Sequence, residues 1–349
     1  GALNTKDWLT EVVYMNPYKM VITVANQKGG CSKTTTAVNI ATALAKGDPK
    51  NGWPAAKVLL VDMDPQGNVS TSFGIQKNNL GRTVYDLLMN DLGEELPIIE
   101  DYLIGPEIIA DSMWNSWKGM YPEKNPPKTM VDVRKDKETG KKYIHQSGVQ
   151  NLWILPSNVQ LAAAEIELAT RIGRETRLKE GLAPALDEFD YIIIDTSPSL
   201  GLLTINAMAA SNWVLIPVQT EYYALEGMSQ LMNSIKLVQR RINPNLKLFG
   251  IAMTMYQRST LCDTVVTEVR RHLSEQVFST VIPRDISVAA APADGGPVTI
   301  LKKPTSRNKG SLQYWALAKE VHRRALRIRK KYGINEPNRL QQHKIRTGE

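Results

Sequence analysis

The chain has 349 residues, 42% of them hydrophobic and 22% charged, enough apolar material for a large core and unlike a disordered or collagen-like chain. Lys and Arg number 43 against 35 acidic residues, and the net charge of +8 favours anionic partners: nucleotide, nucleic acid or an acidic membrane surface. The excess is local, because residues 319–346 hold ten Lys or Arg and two Glu, which leaves the rest of the chain close to neutral.

Two cysteines, Cys31 and Cys262, form no CxxC pair, so a disulfide framework and a thiolate zinc site are not expected, and a reducing compartment is. The four histidines show no metal-ligand spacing. No apolar run approaches the roughly 18 residues of a membrane span. The first twenty residues lack an apolar h-region, so no secretory signal is expected.

Residues 1–19 read as an N-terminal extension. The first strand is predicted at 21–25, in VITVANQKGGCSKTTTAVNIATALA, followed by a glycine-rich loop and an apolar-periodic helix over 34–45. Gly29 and Gly30 let backbone N–H groups turn toward a phosphate without a Cβ clash. The helix N-terminus adds its dipole and unpaired N–H groups. Lys33 stands where a lysine meets the β- and γ-phosphates of a nucleotide, and the Thr34 hydroxyl where it can hold Mg²⁺. Lys28, Cys31, Ser32 and Thr35 complete the cradle. The usual glycine before the lysine is replaced by Ser32, and a second lysine, Lys28, opens the loop.

A strand over 58–62 ends in VLLVDMDPQG. Asp62 and Asp64 leave it at the carboxyl edge, which in an open parallel sheet faces the ligand. Asp62 is a candidate magnesium ligand beside Thr34. Residues 105–150 are rich in Pro, Gly and mixed charge and read as a solvated insertion, with a short helix around 109–117 and a hairpin around 138–141. Strands follow at 152–155, 191–195, 213–217, 247–253 and 277–282, with helices at 159–169, 175–186 and 225–241. Fully apolar strands alternating with helices predict an α/β fold, a doubly wound, mostly parallel sheet with helices on both faces. Asp195 ends the strand YIIID in DTSP and is a third candidate magnesium ligand. No Glu follows it, so slow hydrolysis is expected. Near the C-terminus a helix is predicted from Ser311, a candidate N-cap. Leu317, Val321, Ala325, Ile328 and Tyr332 form its apolar stripe, and Lys319, Arg323, Arg327 and Lys330 its opposite face. Residues 334–349 read as a polar basic tail.

KGGxxKT, DxDPQ and the Asp195 strand resemble the three boxes of the ParA/MinD superfamily of deviant Walker A P-loop ATPases. VLIPVQTEYYALEGMSQLMNSIKLV, GIAMTMYQR, VFSTVIPRD and YWALAKEV are similar to Soj-type ParA partition ATPases. The resemblance covers about residues 20–104 and 149–325, and it implies one P-loop domain over 20–333 with an insertion. It implies ATP and Mg²⁺ as ligands, a homodimer when ATP is bound, and non-specific DNA and a ParB-like or cargo-adaptor protein as partners, in a nucleoid-associated, cytoplasmic setting without membrane.

The same resemblance gives Asp64 the attacking water and Lys28 the partner subunit's phosphates. It places the base near Met255, Pro283 and Asp285, and one DNA-contacting arginine at Arg258. The second DNA arginine of the family falls on Ser287, and an acidic position on Ala290, so the basic face with Arg323, Arg327 and Lys330 becomes the candidate replacement. A MinD-like membrane-positioning ATPase and a carboxysome-type cargo positioner share these motifs. An iron–sulfur reductase with this loop would need cluster cysteines, and neither Cys31 nor Cys262 is placed for one.

Overall fold

The computed structural model describes residues 19–30, 32–90, 97–135, 137–140, 142–146 and 149–333. Cys31, the expected tail at 334–349 and all but the last residue of the expected N-terminal extension lie outside the described residues. In chain order, β1 (Val21–Val24) leads to α1 (Lys33–Lys46), and β2 (Val58–Met63) to α2 (Asn68–Ser72) and α3 (Val84–Met89). Next come α4 (Pro106–Met120), β3 (Val131–Lys135), β4 (Lys142–Gln146), β5 (Leu152–Leu155), α5 (Leu161–Leu168) and α6 (Arg177–Leu182). The second half alternates regularly: β6 (Tyr191–Thr196), α7 (Leu202–Ala209), β7 (Trp213–Gln219), α8 (Ala224–Arg241), β8 (Lys247–Tyr256), α9 (Thr260–Leu273) and β9 (Val277–Pro283). It closes with α10 (Ile286–Ala290), α11 (Val298–Leu301) and the long α12 (Lys309–Lys331).

Seven strands form one sheet in the order β5-β2-β6-β1-β7-β8-β9, all parallel, as the apolar strands predict. Every residue of β2 and β6 is buried. Alternate side chains serve opposite faces. Leu60 and Ile193 pack with α1 and α12, while Leu59, Val61, Ile192 and Ile194 pack with α3, α5, α6 and α7. A third cluster joins β7 and β8 to α8 and α9. The predicted helix at 175–186 is cut short: α6 ends at Leu182 and Pro184 sits in a single 3₁₀ turn, because proline lacks the N–H that an α-helix interior needs.

The insertion differs from the solvated excursion expected. Its hairpin is present, β3 and β4 pairing antiparallel on either side of 138–141. Its helix is longer than predicted and buries Ile109, Ala110 and Met113, two of which join the cluster built by α1 and α12. Contact with the body is tight. Gly295, with φ +98°, passes α4 so closely that a Cβ would meet the Ser116 Cβ and the Trp117 amide at 3.0 Å, and the Tyr121 hydroxyl donates to Asp294 Oδ1 at 2.6 Å.

Helix α12 begins at Lys309, two residues before the expected cap. Ser311 is instead buried in the first turn, its hydroxyl donating to the Lys302 carbonyl at 2.7 Å. Leu317, Val321 and Ala325 are buried as the stripe predicts, but Tyr332 is 40% exposed. Arg329 holds the last turn in its place. It is 3% exposed, Nη2 donates to the Asp190 carbonyl at 2.6 Å, and the guanidinium lies 5.1 Å from the Tyr191 ring centre.

Truncating a buried Met in α4 removes packing that the body cannot refill, at about 2–5 kcal/mol. Met113→Ala is therefore expected to lower the thermal unfolding midpoint by several degrees. An unchanged midpoint would return the insertion to a surface excursion.

Candidate nucleotide and magnesium site

Strand order brings the three boxes together. β2, β6 and β1 are adjacent, and their register sets Asp62 beside Asp195 and Asp195 beside Val24. The loop after β1 thus opens over the two carboxylates at the strand ends, where loops of parallel sheets converge. Above it lies a cleft of about 610 Å³, lined by Gly29, Gly30, Ser32, Lys33, Thr34, Thr35, Asp64, Met255, Pro283 and Asp285 among others. Ten of the residues expected at a nucleotide site therefore share one wall system.

The loop is braced from outside. Asn26 Nδ2 donates to the Pro217 carbonyl at 2.6 Å and its Oδ1 accepts from the Lys28 amide at 3.0 Å. Gln219 Nε2 donates to the Gly30 carbonyl. Gly30 has φ +72°, which glycine adopts freely. Ser32, at the N-cap of α1, has φ +65°, and Met255, at the end of β8, has φ +56°. They are the two non-glycine residues with positive φ among the described residues, and both line the cleft. Such backbone costs of order 1–3 kcal/mol and persists where surroundings over-determine it.

Lys33 is buried at the base of the loop, its ammonium donating to the Lys28 carbonyl at 3.1 Å. The Thr34 hydroxyl donates to Asp195 Oδ2 at 2.6 Å. Asp195 Oδ1 is buried with no hydrogen-bond partner among the described residues. Burial pushes this carboxyl up to about 7, against the opposing Thr34 hydrogen bond and Lys33 charge. An orphaned, buried carboxylate oxygen beside a threonine hydroxyl is a donor set suited to a hard divalent cation or its water.

Asp62 is engaged differently. Oδ1 accepts from the Asp64 amide at 3.0 Å and Oδ2 from the Val69 amide at 3.3 Å. Burial and then the Asp195 charge raise its carboxyl well above the usual range. Asp64 lines the cleft, with Oδ1 accepting from the Gln66 amide at 3.0 Å. Ser157, which is not among the expected site residues, fixes the Asp64 carbonyl with its hydroxyl at 2.6 Å.

Lys28 is exposed and forms an ion pair with Glu221, a partner that the sequence reading also missed. The Asp285 carboxylate is drawn into the fold: Oδ1 caps α10 through the Ser287 amide (2.8 Å) and Oδ2 accepts from the Gly310 amide (2.8 Å). Burial opposes its ionisation, but these bonds outweigh it and hold the carboxyl below the ordinary range. The Ser287 hydroxyl also points to Asp285, at 2.7 Å.

The expected DNA residues are not brought together. Arg258 is exposed just past the carboxyl end of β8. Arg323 and Arg327 are exposed near the opposite end of the same strand, where the intervening Arg324 donates to the Phe249 carbonyl at 2.7 Å, and Lys330 is exposed further on, beside Arg329 at the start of β6. At about 3.3 Å per residue, roughly 25–30 Å of β8 separates the two groups.

The AAA-domain family model matches residues 19–248. The sporulation initiation inhibitor protein Soj of Bacillus subtilis is 41% identical over 302 residues, covering 86% of this chain and 97% of Soj. The chromosome partitioning protein ParA of Myxococcus xanthus is 38% identical, covering 87% of this chain and 88% of that protein. The chain belongs to the ParA family of P-loop ATPases. Among solved structures, cobyrinic acid a,c-diamide synthase of Mycobacterium smegmatis with bound ADP and magnesium superposes with a TM-score of 0.58 at 30% identity, covering 91% of this chain and 98% of that one. Nucleotide and magnesium binding therefore belong to this fold.

The strain at Ser32 gives a direct check. Ser32→Gly restores the residue that the common loop carries and relieves a left-handed backbone. It is expected to raise stability by about 1 kcal/mol and to leave ATP affinity unchanged, as read by thermal unfolding and a binding titration.

Proposed function

We propose that the chain is an ATP-hydrolysing positioning ATPase that dimerises on ATP, binds DNA without sequence preference and is released when a ParB-like or cargo-adaptor partner stimulates hydrolysis. The observation that carries it is the convergence of Lys33, Thr34, Asp64 and Asp195, one of whose oxygens is unpartnered, around one loop. The loop amides from Gly29 to Thr35 and the Lys33 ammonium bind the β- and γ-phosphates. Thr34 and Asp195 hold Mg²⁺, which supplies charge neutralisation at the phosphates. Asp62, whose carboxylate is occupied by two backbone amides, shapes the turn that presents Asp64 rather than adding a ligand.

Asp64 orients the water that attacks the γ-phosphate. The residue after Asp195 is Thr196, its hydroxyl committed to the Val24 carbonyl at 2.8 Å. No carboxylate base stands there, which fits slow hydrolysis without a partner. Met255 and Pro283 flank the base, and Asp285 fixes the loop that carries Pro283. Glu221 parks Lys28 in the single chain, and ATP draws Lys28 across to the second subunit's phosphates. Arg258, on the cleft side of the sheet, is a DNA contact of that dimer. The setting is the nucleoid, and no helix among the described residues is long and apolar enough to cross a membrane.

Two substitutions separate binding from chemistry. Lys33→Ala is expected to weaken ATP binding at least 100-fold. Asp64→Ala is expected to bind ATP with wild-type affinity, hydrolyse at least tenfold more slowly and accumulate as an ATP-bound dimer in size-exclusion chromatography with light scattering. Hydrolysis by Asp64→Ala at the wild-type rate would remove Asp64 from the chemistry.

A further inference from the structure

Asp64 is followed by Pro65, and that limits how the residue can be held. A peptide unit is normally oriented by both its N–H and its carbonyl, but the Asp64–Pro65 unit has no N–H. Its orientation depends on the Asp64 carbonyl. Two donors meet there. The Gly67 amide closes the turn at 3.0 Å, and the Ser157 hydroxyl arrives from outside the turn at 2.6 Å. Two donors use both lone pairs of the oxygen, so the plane of this peptide is set. The first bond belongs to the turn and moves with it. The second ties the turn to the sheet.

Ser157 is placed to be the fixed point. β5 pairs in parallel with β2 through Val61 and Leu155, so Ser157, two residues past that pair, stands level with the end of β2. It is fully buried. The strand that carries it is clamped on its outer edge, where Ile154 and Ile104 exchange backbone hydrogen bonds at 2.8 and 3.0 Å. The Ser157 backbone supports the turn as well. Gly67 has φ +65°, and a Cβ there would lie 2.8 Å from the Ser157 carbonyl, so the turn rests directly on this residue. Lys77 closes the other flank, its ammonium donating to the Gln66 carbonyl and its stem lying against Gly67. The Asp64 side chain inherits this placement. Its Oδ1 accepts from the Gln66 amide within the same turn, so a tilt of the turn tilts the carboxylate.

We infer that Ser157 is a positioning residue for ATP hydrolysis: its hydroxyl, acting through the Asp64 carbonyl, holds the Asp64 carboxylate at the angle from which it orients the attacking water. The inference rests on the water-orienting role proposed for Asp64 above. Ser157 is not among the residues that line the cleft, whereas Asp64 is. Nucleotide binding therefore does not depend on it. Phosphate binding is spread over the loop amides and Lys33, and it tolerates a small movement of one neighbouring turn. Orientation of a reacting group does not, since a misplacement of about 1 Å costs on the order of 100-fold in rate. A buried serine with a satisfied hydroxyl is also an ordinary packing feature. The two roles differ in what they change: packing changes stability and binding together, and positioning changes turnover alone, and only while Asp64 is present.

The test is a double-mutant cycle on the full chain, read as phosphate release from ATP with Mg²⁺ and as ATP affinity in a binding titration. Ser157→Ala should lower kcat at least tenfold and leave KM and ATP affinity within about twofold of wild type. Ser157→Cys keeps the volume but donates weakly, so it should turn over like Ser157→Ala. In the Asp64→Ala background, Ser157→Ala should change the residual rate by less than about twofold, because the group it positions is gone. Ser157→Cys at the wild-type rate would assign the effect to packing and overturn the inference. So would a loss of ATP affinity as large as the loss of kcat, or a further tenfold slowing of Asp64→Ala. Wild-type turnover by Ser157→Ala beside a slow Asp64→Ala would overturn the role of Ser157 alone. Wild-type turnover by Asp64→Ala would sink the water-orienting reading itself.

Discussion

Two carboxylates buried side by side at the end of a parallel sheet are expensive, and the rest of the site is arranged around that expense. Asp62 and Asp195 are both fully buried and face each other in register across β2 and β6. The fold answers the two differently. Asp62 is satisfied by backbone amides, which bend the chain after β2 and deliver Asp64 to the cleft. Asp195 is answered only in part, by the Thr34 hydroxyl and the nearby Lys33 charge, and one of its oxygens is left without a partner. A buried carboxylate that is only partly answered costs several kcal/mol, so the unpartnered Asp195 oxygen beside Thr34 favours a cation. The same neighbourhood attracts phosphate through Lys33 and the start of α1. Nucleotide and metal thus relieve a tension already present in the folded chain.

The surroundings make that tension sustainable. The loop's left-handed Ser32 is locked between β1 and α1, whose next residues, from Lys33 onward, are largely buried. Across the cleft, Met255 takes its positive φ where the Thr220 hydroxyl reaches the Met255 carbonyl at 3.3 Å. Asp285 ties α10 to the start of α12, so the wall carrying Pro283 is continuous with the helix that packs on α1. Through Gly295 and Asp294 the same wall rests on α4 of the insertion. A segment that the family resemblance leaves out therefore buttresses the nucleotide cleft from behind.

Much of this was legible in the sequence, for definite reasons. VLLVD and YIIID read as doubly buried strands because both faces of the sheet are covered, and the sheet's parallel order follows from the helices between them. The KGGxxKT loop and the three aspartates were found because their chemistry needs those residue types at strand ends. The different fates of Asp62 and Asp195 were not legible, since they depend on which backbone amides turn inward. Helix α4 was underestimated because its buried stripe of Ile109 and Met113, with the partly buried Trp117, is short and set in a stretch rich in Pro, Gly and mixed charge. Arg329 reads as one more cation in a basic run, and only the approach of Asp190 and Tyr191 makes it a core residue.

The most direct measurement is calorimetric titration of ATP with and without Mg²⁺, in the wild type and in Asp195→Asn. If the unpartnered Asp195 oxygen creates the metal site, Mg²⁺ should strengthen ATP binding at least tenfold in the wild type. Asp195→Asn should lose that increment, keep its Mg²⁺-free affinity and unfold at a higher temperature without ligand, since a buried charge has gone. An equal magnesium increment in Asp195→Asn would contradict the account.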